Sequence, residues 1–261
     1  MSAPRLPTFL VIGAMKAGTT SLYEYLRGHP QVFMAAKKEL DYFPPGNTWQ
    51  RGPDWYRSQF ADAGDAIAVG EASPTYAHDP LHRFVPERIH DLVPDVRLVY
   101  LVREPIERIQ SQYRHRLRYD GERQPPTAEV LAGVTYLAQS RYAHQIERYL
   151  ACFPREQLLV VQSERLRDDR HETMRRILGF IGVDADALPP NLGEEYLRSP
   201  PPTGVRRAVA RARSLLSKPD PSAISDDTCA TLRGLLTDDV ARLRAHLDPD
   251  FDAWGWQLPA A

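Results

Sequence analysis

The sequence lacks any segment suited to the interior of a lipid bilayer. No apolar run approaches the ~20 residues that a transmembrane helix needs. No charged segment followed by an apolar stretch precedes Phe9, so we expect no secretion signal. These absences predict a soluble protein of the cytoplasm with no integral membrane segment.

Cysteine is also scarce, and the charge is almost balanced. The two cysteines, Cys152 and Cys229, do not show CxxC spacing, so we interpret them as free thiols and expect neither a disulfide nor a metal site. The formal net charge of −1 gives no general attraction to nucleic acid or to anionic membranes. We therefore predict no nucleic-acid partner, and any anion-binding site has to be local.

Lysine is rare in a chain that uses arginine almost everywhere. Of 33 basic residues only four are lysine, and three of these, Lys16, Lys37 and Lys38, lie close together in the sequence. Such a cluster favours positions that need a compact ammonium group rather than the planar fork of arginine. Chance clustering within a strong arginine bias is the alternative.

The length and the hydrophobic pattern suit one α/β domain with a full core. The chain has 261 residues, of which 43% are hydrophobic and 26% are charged. Short apolar runs are separated by stretches at helical spacing, which predicts a central parallel sheet flanked by helices. We predict a single domain over residues 1–261, with a core over 9–182 and a variable helical C-terminal part over 183–261. The pattern leaves the oligomeric state open.

The first apolar run leads into a glycine-containing loop at the start of a helix. The run 9–12 predicts a buried strand, and Leu22, Tyr25 and Leu26 then recur at helical spacing. In the loop 13–21 between them, two glycines allow backbone amides to face an anion at the helix N-terminus, where peptide dipoles favour negative charge. This P-loop-like segment predicts phosphate binding, with an ordinary strand-turn-helix junction as the alternative.

The position of the lysine in this loop argues against a nucleoside triphosphate. In the triphosphatase pattern GxxxxGK[ST], the lysine directly follows the second glycine and reaches the β and γ phosphates. Here Thr19 follows Gly18, and Lys16 lies two residues before that glycine. We therefore expect a different phosphate ligand.

Further polar residues follow two other predicted strands. The run 66–70 predicts a buried strand that ends on Glu71, and the run 96–102 predicts one that leads into Arg103. Because the carboxyl ends of parallel strands meet at one edge of a sheet, both side chains are expected beside the phosphate loop. In the helix after Arg103, Ser111 lies outside the apolar stripe at about 100° per residue, so we expect it to face a ligand.

Four segments in this order resemble the sulfotransferase family, in particular its heparan-sulfate-type and bacterial branches. The similarity runs from residue 9 to about residue 182, and the last third of the chain matches poorly. Each segment is a weak or moderate signal alone, and the combination is specific. The four are the loop 13–21, Lys38-Glu39 with Phe43, Glu71-Ala72-Ser73-Pro74, and Arg103 with Ser111.

The resemblance implies that the donor is 3′-phosphoadenosine 5′-phosphosulfate (PAPS) and that no metal takes part. It implies that the loop holds the 5′-phosphosulfate and that a later arginine and serine hold the 3′-phosphate. A basic residue from the C-terminal part is also expected at the nucleotide, with Arg198, Arg206 and Arg207 as unranked candidates. The predicted donor-binding residues are Lys16, Ala17, Gly18, Thr19, Thr20, Ser21, Arg103 and Ser111.

The resemblance also implies catalytic roles for three residues. We predict Glu71 as the general base, Lys16 as the group that stabilises the leaving oxygen, and Lys38 as the group that steadies the sulfuryl oxygens. The acceptor is predicted as a hydroxyl or amine of a carbohydrate, a glycolipid or another small molecule.

Two other functions remain as alternatives. A P-loop nucleotide or small-molecule kinase needs a lysine after the second glycine and an acidic Mg²⁺ ligand. A non-catalytic nucleotide-binding protein keeps the loop but has no need of Glu71 at the end of a strand. A comparison of the binding of 3′-phosphoadenosine 5′-phosphate (PAP) with that of ATP distinguishes a sulfotransferase from a kinase. Turnover of PAPS distinguishes a sulfotransferase from a non-catalytic binding protein.

Overall fold

The computed structural model describes residues 5–46, 48–196 and 222–258, which form an α/β fold around one parallel sheet. The strands are apolar along nearly their whole length because helices cover both faces of the sheet, as in other all-parallel sheets. The strands are β1 (Phe9–Gly13), β2 (Val32–Met34), β3 (Ala68–Ala72), β4 (Arg97–Val102) and β5 (Leu158–Gln162).

The strand order is β2-β3-β1-β4-β5, with β1 at the centre. Phe9 is paired with Gly70 of β3 on one side and with Arg97 of β4 on the other. A Cβ atom on Gly70 would lie 2.3 Å from the Phe9 ring, so this close packing requires glycine. The chain connections run in opposite directions on the two sides of β1, which places a binding crevice at the carboxyl ends of β1 and its neighbours.

Helices connect these strands and cover the sheet. Their apolar faces pack on a core that includes every residue of β1 except Gly13. The helices are α1 (Thr19–Arg27), α2 (Gly52–Ser58), α3 (Val85–Leu92), α4 (Pro105–His115), α5 (Ala128–Leu131), α6 (Tyr142–Leu150), α7 (Ser163–Asp168), α8 (Arg170–Ile181) and α9 (Asp226–Leu243).

The structure confirms the predicted α/β class with its central parallel sheet and changes some of the element boundaries. The sheet also has a short edge strand, β2, which is paired with β3. The strand predicted over 66–70 is shifted to Ala68–Ala72, so Glu71 lies within the strand rather than after it. The helix α3 begins at Val85, directly after Phe84, which adopts a left-handed backbone with φ of 64°.

The C-terminal helix is packed into the body of the protein. Leu232 and Leu236 of α9 are fully buried in a second apolar cluster with residues of α4 and α5. At the far end of the described chain, Trp256 Nε1 donates a hydrogen bond to Glu104 Oε1 over 3.1 Å. Arg198, Arg206 and Arg207, the candidates for a nucleotide contact from this part of the chain, lie outside the described residues.

The part of the chain that the structure describes contains neither a membrane-spanning helix nor a cluster of metal-ligating side chains. In the segments 5–46, 48–196 and 222–258, no helix has the length and apolar character needed to cross a bilayer. The same segments contain no group of three or more His, Cys, Asp or Glu side chains arranged to hold a metal ion.

Candidate active site

The loop between β1 and α1 has the backbone shape of an anion-binding turn. Gly13, Lys16 and Gly18 have positive φ angles of 154°, 67° and 95°. A Cβ atom on Gly13 would lie 2.8 Å from the Tyr100 ring, so a side chain there would clash. No side chain caps α1 at its start, and the first amides of any helix lack intrahelical partners. The loop therefore ends in a helix N-terminus with donors available for an anion.

Burial and several charged side chains affect the ammonium group of Lys16. Burial is the main cause that lowers the pKa of Lys16; Glu39 opposes this shift, and Lys38 and Arg103 add to it. Two of these side chains also have direct contacts: Lys38 is paired with Glu39, and Arg103 donates to the backbone oxygen of Lys16. The structure thus brings together both predicted catalytic lysines and the predicted 3′-phosphate arginine.

The Lys38-Glu39 pair is held at the end of β3. The amide of Glu39 donates to the carbonyl of Ala72 over 3.0 Å. Lys38 Nζ is paired with the Glu39 carboxylate. The side chain of Glu39 is 49% exposed and that of Lys38 is 18% exposed. An accessible carboxylate therefore lies beside two lysines and the phosphate loop.

Arg103 follows β4 and is oriented by two contacts. One guanidinium nitrogen is 2.9 Å from Glu107 Oε2, and another donates to the backbone oxygen of Lys16 over 3.3 Å. The second contact joins the arginine directly to the phosphate loop. Ser111, on the same helix as Glu107, is 8% exposed, so its hydroxyl is more buried than the helical-wheel argument predicts.

Glu71 does not face an open cleft. Its side chain is fully buried and accepts hydrogen bonds from Tyr56 at 2.7 Å, from Tyr76 at 2.6 Å and from Ser73 at 2.7 Å. Burial raises its pKa to about 6, while the three hydroxyl donors act in the opposite direction. The residue predicted as the general base thus has protein hydroxyls, rather than open space, around its carboxylate.

An aromatic cluster covers Glu71 on the side of α2. The rings of Tyr42 and Tyr56 stack with centroids 4.4 Å apart and planes 12° apart. Phe43 packs edge-on against both Tyr56 and Tyr76, at 5.2 and 5.3 Å. This apolar cover explains the loss of solvent around the carboxylate, and it links the 42–43 segment to the surroundings of Glu71.

The C-terminal end of α4 adds a residue that the motifs do not include. The pKa of His115 is lowered first by burial and then by Lys16, while Asp120 and Glu39 raise it. His115 therefore lies in the electrostatic field of the same lysine and carboxylate. The sequence contains a signal for this position, because His115 follows Ser111 by four residues and hence lies on the same helix face.

Glu39 is a second candidate residue that the motifs did not single out. The motifs predict a role for Lys38 and none for the carboxylate beside it. The position of Glu39 directly after Lys38 in the sequence is the signal that could have indicated it. What decides between Glu39 and Glu71 is accessibility, which depends on the fold.

Comparisons with known proteins agree with this architecture. Residues 6–199 match the family described as "Sulfotransferase domain". The human bifunctional heparan sulfate N-deacetylase/N-sulfotransferase 3 is 31% identical over 201 residues, which are 69% of this chain and 22% of that protein. The human heparan sulfate glucosamine 3-O-sulfotransferase 6 is 33% identical over 191 residues, covering 69% of this chain and 53% of that protein. The chain thus spans only part of the length of these two relatives.

A solved structure is similar over almost the whole chain. The crystal structure of a sulfotransferase from Alicyclobacillus acidocaldarius has a TM-score of 0.75 and 28% identity, and the match covers 97% of this chain and all of that one. The sulfotransferase domain of the Synechococcus PCC 7002 olefin synthase shares the fold alone, with a TM-score of 0.51 and 19% identity over 90% of this chain and 96% of that one.

Proposed function

The chain belongs to the sulfotransferase family, and we propose that it transfers a sulfuryl group from PAPS to a hydroxyl or amine of a glycan-type acceptor. The observation that carries this proposal is the exposed carboxylate of Glu39, which is paired with Lys38 and interacts electrostatically with Lys16 in the loop that leads into the uncapped start of α1. That arrangement combines a proton acceptor, positive charge and an anion site. The relatives whose names mention heparan sulfate support the acceptor class.

The chain offers a matching group for each anionic part of the donor. The amides of the first turn of α1, with Lys16, suit the 5′-phosphosulfate, because helix N-termini and ammonium groups stabilise oxyanions. Arg103 suits the 3′-phosphate, because it is tied to the loop through the Lys16 carbonyl and a guanidinium can take two phosphate oxygens. Ser111 lies on the next helix, so its hydroxyl remains a candidate for the same phosphate.

We reassign the general base from Glu71 to Glu39. A general base has to come within hydrogen-bond reach of the proton that it removes. Glu71 is 0% exposed and already accepts three hydrogen bonds, whereas the Glu39 side chain is about half exposed beside both lysines. In the proposed step, the acceptor heteroatom forms a bond to sulfur, its proton passes to Glu39, and the bond from sulfur to the phosphate oxygen breaks to release PAP.

Lys16 and Lys38 have separate tasks in this step. Negative charge grows on the leaving phosphate oxygen, and Lys16, within the loop that holds that phosphate, stabilises it. Lys38 is paired with Glu39, so it orients the carboxylate, and its ammonium group is the one proposed for the sulfuryl oxygens. These fixed positive charges favour the transition state over the ground state.

Turnover of labelled PAPS tests the proposal. The protein is incubated with PAPS and with glycans that present either free glucosamine amines or hydroxyls alone, and we expect labelled glycan together with PAP. Glu39→Gln should lower kcat by about 10²-fold or more while PAP binding changes little, because it removes the proton acceptor and leaves the donor site intact. Glu172→Gln, on the exposed face of α8, is the matched control and should have no effect.

Three results would count against the proposal. If Glu39→Gln retains the wild-type kcat, Glu39 is not the base. If ATP binds more tightly than PAP in equilibrium titrations, the kinase alternative is favoured. If PAP binds but no acceptor is labelled, a nucleotide-binding role without catalysis is favoured. The cytoplasmic location predicted from the sequence stays a prediction.

A further inference from the structure

The buried carboxylate of Glu71 is connected to the Lys38-Glu39 pair through two hydroxyl groups. Ser73 donates to Glu71 Oε2 and accepts a hydrogen bond from the amide of Asp41 over 3.1 Å. Tyr76 donates to Glu71 Oε1 and accepts one from the amide of Tyr42 over 3.2 Å. The two amides belong to the segment that follows Glu39 directly. Glu71 is thus connected to the backbone after Glu39, the proposed base, by two routes, one through the Ser73 hydroxyl and one through the Tyr76 hydroxyl.

The direction of these hydrogen bonds depends on a negatively charged Glu71. A hydroxyl group has one proton to donate, and an ionised carboxylate can only accept. When Ser73 and Tyr76 give their protons to Glu71, their oxygen lone pairs face the amides of Asp41 and Tyr42. Glutamine at position 71 would direct its side-chain N–H group at one of the two hydroxyls. That hydroxyl could no longer donate its proton to residue 71 and would lose its buried acceptor.

The segment held in this way has a backbone that needs support. Glu39 and Asp41 have φ angles of 63° and 49°, a left-handed region that residues other than glycine seldom adopt. The amide of Glu39 is bonded to Ala72 at the end of β3. Together with the two hydroxyl contacts, this bond fixes three amides between residues 39 and 42. Release of these contacts would let the backbone relax and move the Glu39 carboxylate.

We infer that Glu71 is a positioning residue for sulfuryl transfer: through Ser73 and Tyr76 it fixes the backbone of residues 39–42 and so holds Glu39 and Lys38 in place. The inference rests on the proposed function for the roles of Glu39 and Lys38. Its structural part concerns two amide groups and does not depend on the reaction.

Three variants and one matched control test this connection. Glu71→Gln removes the charge, and Tyr76→Phe and Ser73→Ala each remove one hydroxyl. Tyr56→Phe is the control, because the Tyr56 hydroxyl also donates to Glu71 Oε1 but is not the acceptor of the Asp41 or Tyr42 amide. Tyr56→Phe therefore removes a hydroxyl hydrogen bond from the same carboxylate. It keeps the hydrogen bonds from the amides of Asp41 and Tyr42 to Ser73 and Tyr76.

Amide hydrogen exchange and kinetics are measured on the same variants. Tyr76→Phe should speed exchange at Tyr42 and Ser73→Ala at Asp41, each by about tenfold, because the amide loses its buried acceptor. Glu71→Gln should speed exchange at one of these two amides, because one of the two hydroxyls loses the group to which it donates. Their kcat should fall by about 10- to 100-fold at saturating PAPS with PAP affinity unchanged, since a small displacement of a reacting group is enough for such a loss. Tyr56→Phe should leave exchange at both amides and kcat close to wild type.

Several results would overturn the inference. It is wrong if both amides stay protected in Tyr76→Phe and Ser73→Ala, or if Tyr56→Phe has the same effect as Tyr76→Phe. It is also wrong if exchange speeds up while kcat is unchanged. If Glu71→Gln does not fold, the two hydroxyl variants, which keep the carboxylate, still decide the question. If the wild type shows no transfer at all, the proposed function fails, and the exchange data still report on the two amides.

Discussion

Arg103 is the residue on which selectivity for a 3′-phosphorylated nucleotide would depend. It is only 16% exposed, and its guanidinium is shared between Glu107 and the carbonyl of Lys16. A phosphate that approaches Arg103 thus meets a cation that is already oriented and partly desolvated. Such preorganisation favours a charge-assisted hydrogen bond, because little side-chain freedom is left to lose on binding.

Replacement of Arg103 by alanine should therefore weaken binding of PAP much more than binding of adenosine 5′-phosphosulfate, which lacks the 3′-phosphate. We expect a loss of about 2 to 4 kcal/mol for PAP, since a charged partner is removed from a partly buried phosphate. Titration calorimetry with both ligands measures the difference. Arg175→Ala, at a half-exposed position on α8, is the control. An equal loss for both ligands would exclude Arg103 as the 3′-phosphate group.

Glu71 should also leave a signature in the pH dependence of stability. Burial raises its pKa in the folded protein to about 6 from an ordinary value of 4.5. A raised pKa means that the folded state favours the protonated form, so the stabilisation is fully present below pH 4.5 and is lost as the pH rises through about 6. The shift corresponds to about 2 kcal/mol.

The quantity to compare is the free energy of unfolding of wild type minus that of Glu71→Gln. This difference should be about 2 kcal/mol larger at pH 4.5 than at pH 7. Urea unfolding at both pH values measures it, and subtraction of the variant cancels other titrating groups. A difference that is independent of pH, or that grows towards pH 7, would show that the pKa is not raised. The ionised form of Glu71, which we infer to position Glu39 and Lys38, is thus the form that lowers the free energy of unfolding.

At the scale of elements, α6 depends on a cap that comes from far along the chain. Arg141, which precedes the helix, supplies no side-chain cap. Instead, the two carboxylate oxygens of Asp239 in α9 accept hydrogen bonds from the amides of Ala143 and His144, at 2.9 and 3.0 Å. Asp239 is 4% exposed. A buried carboxylate at a helix N-terminus satisfies amides that no other group reaches and also interacts well with the helix dipole.

Asp239→Ala should consequently lower the free energy of unfolding by about 2 to 4 kcal/mol, because two buried amides lose a charged acceptor. Asp239→Asn keeps one carbonyl acceptor and should cost less. Asp238→Ala, at the exposed neighbouring position, should be close to neutral. Denaturant unfolding of the three variants measures these changes. Equal stability of Asp239→Ala and Asp238→Ala would mean that water caps the helix as well as the carboxylate does.

At the scale of the whole molecule, the sequence was sufficient for the fold class and for the strand-loop-helix junction around residues 13–21. The apolar runs and the loop 13–21 have short-range patterns, so the sheet and the phosphate-binding turn could be predicted directly. The choice between Glu39 and Glu71 could not. Both follow a predicted element and both are next to polar residues, and only tertiary contacts decide which is accessible.

Those contacts join segments that are far apart in the sequence. Tyr56 reaches Glu71 from α2, and Ala72 holds the amide of Glu39 from a strand that lies 33 positions later. Glu39 and Asp41 have a left-handed backbone although neither is glycine, so the sequence gives no sign of this conformation. Similarly, nothing near α6 indicates that its cap comes from Asp239. Local propensity cannot reveal such features, because they are stabilised by the completed fold.

The hydrogen bond from Trp256 to Glu104 gives the protein an optical probe. The indole lies at the last described stretch of the chain, yet its partner is the residue directly after Arg103. Fluorescence of an indole depends on the charge and the polarity around it, so an anion that binds Arg103 changes the surroundings of this emitter. Of the four tryptophans, Trp49 and Trp55 pack on Tyr42 in the aromatic cluster. A chain with these two replaced by phenylalanine therefore keeps its emitters in the C-terminal tail, and donor binding becomes visible without any attached dye.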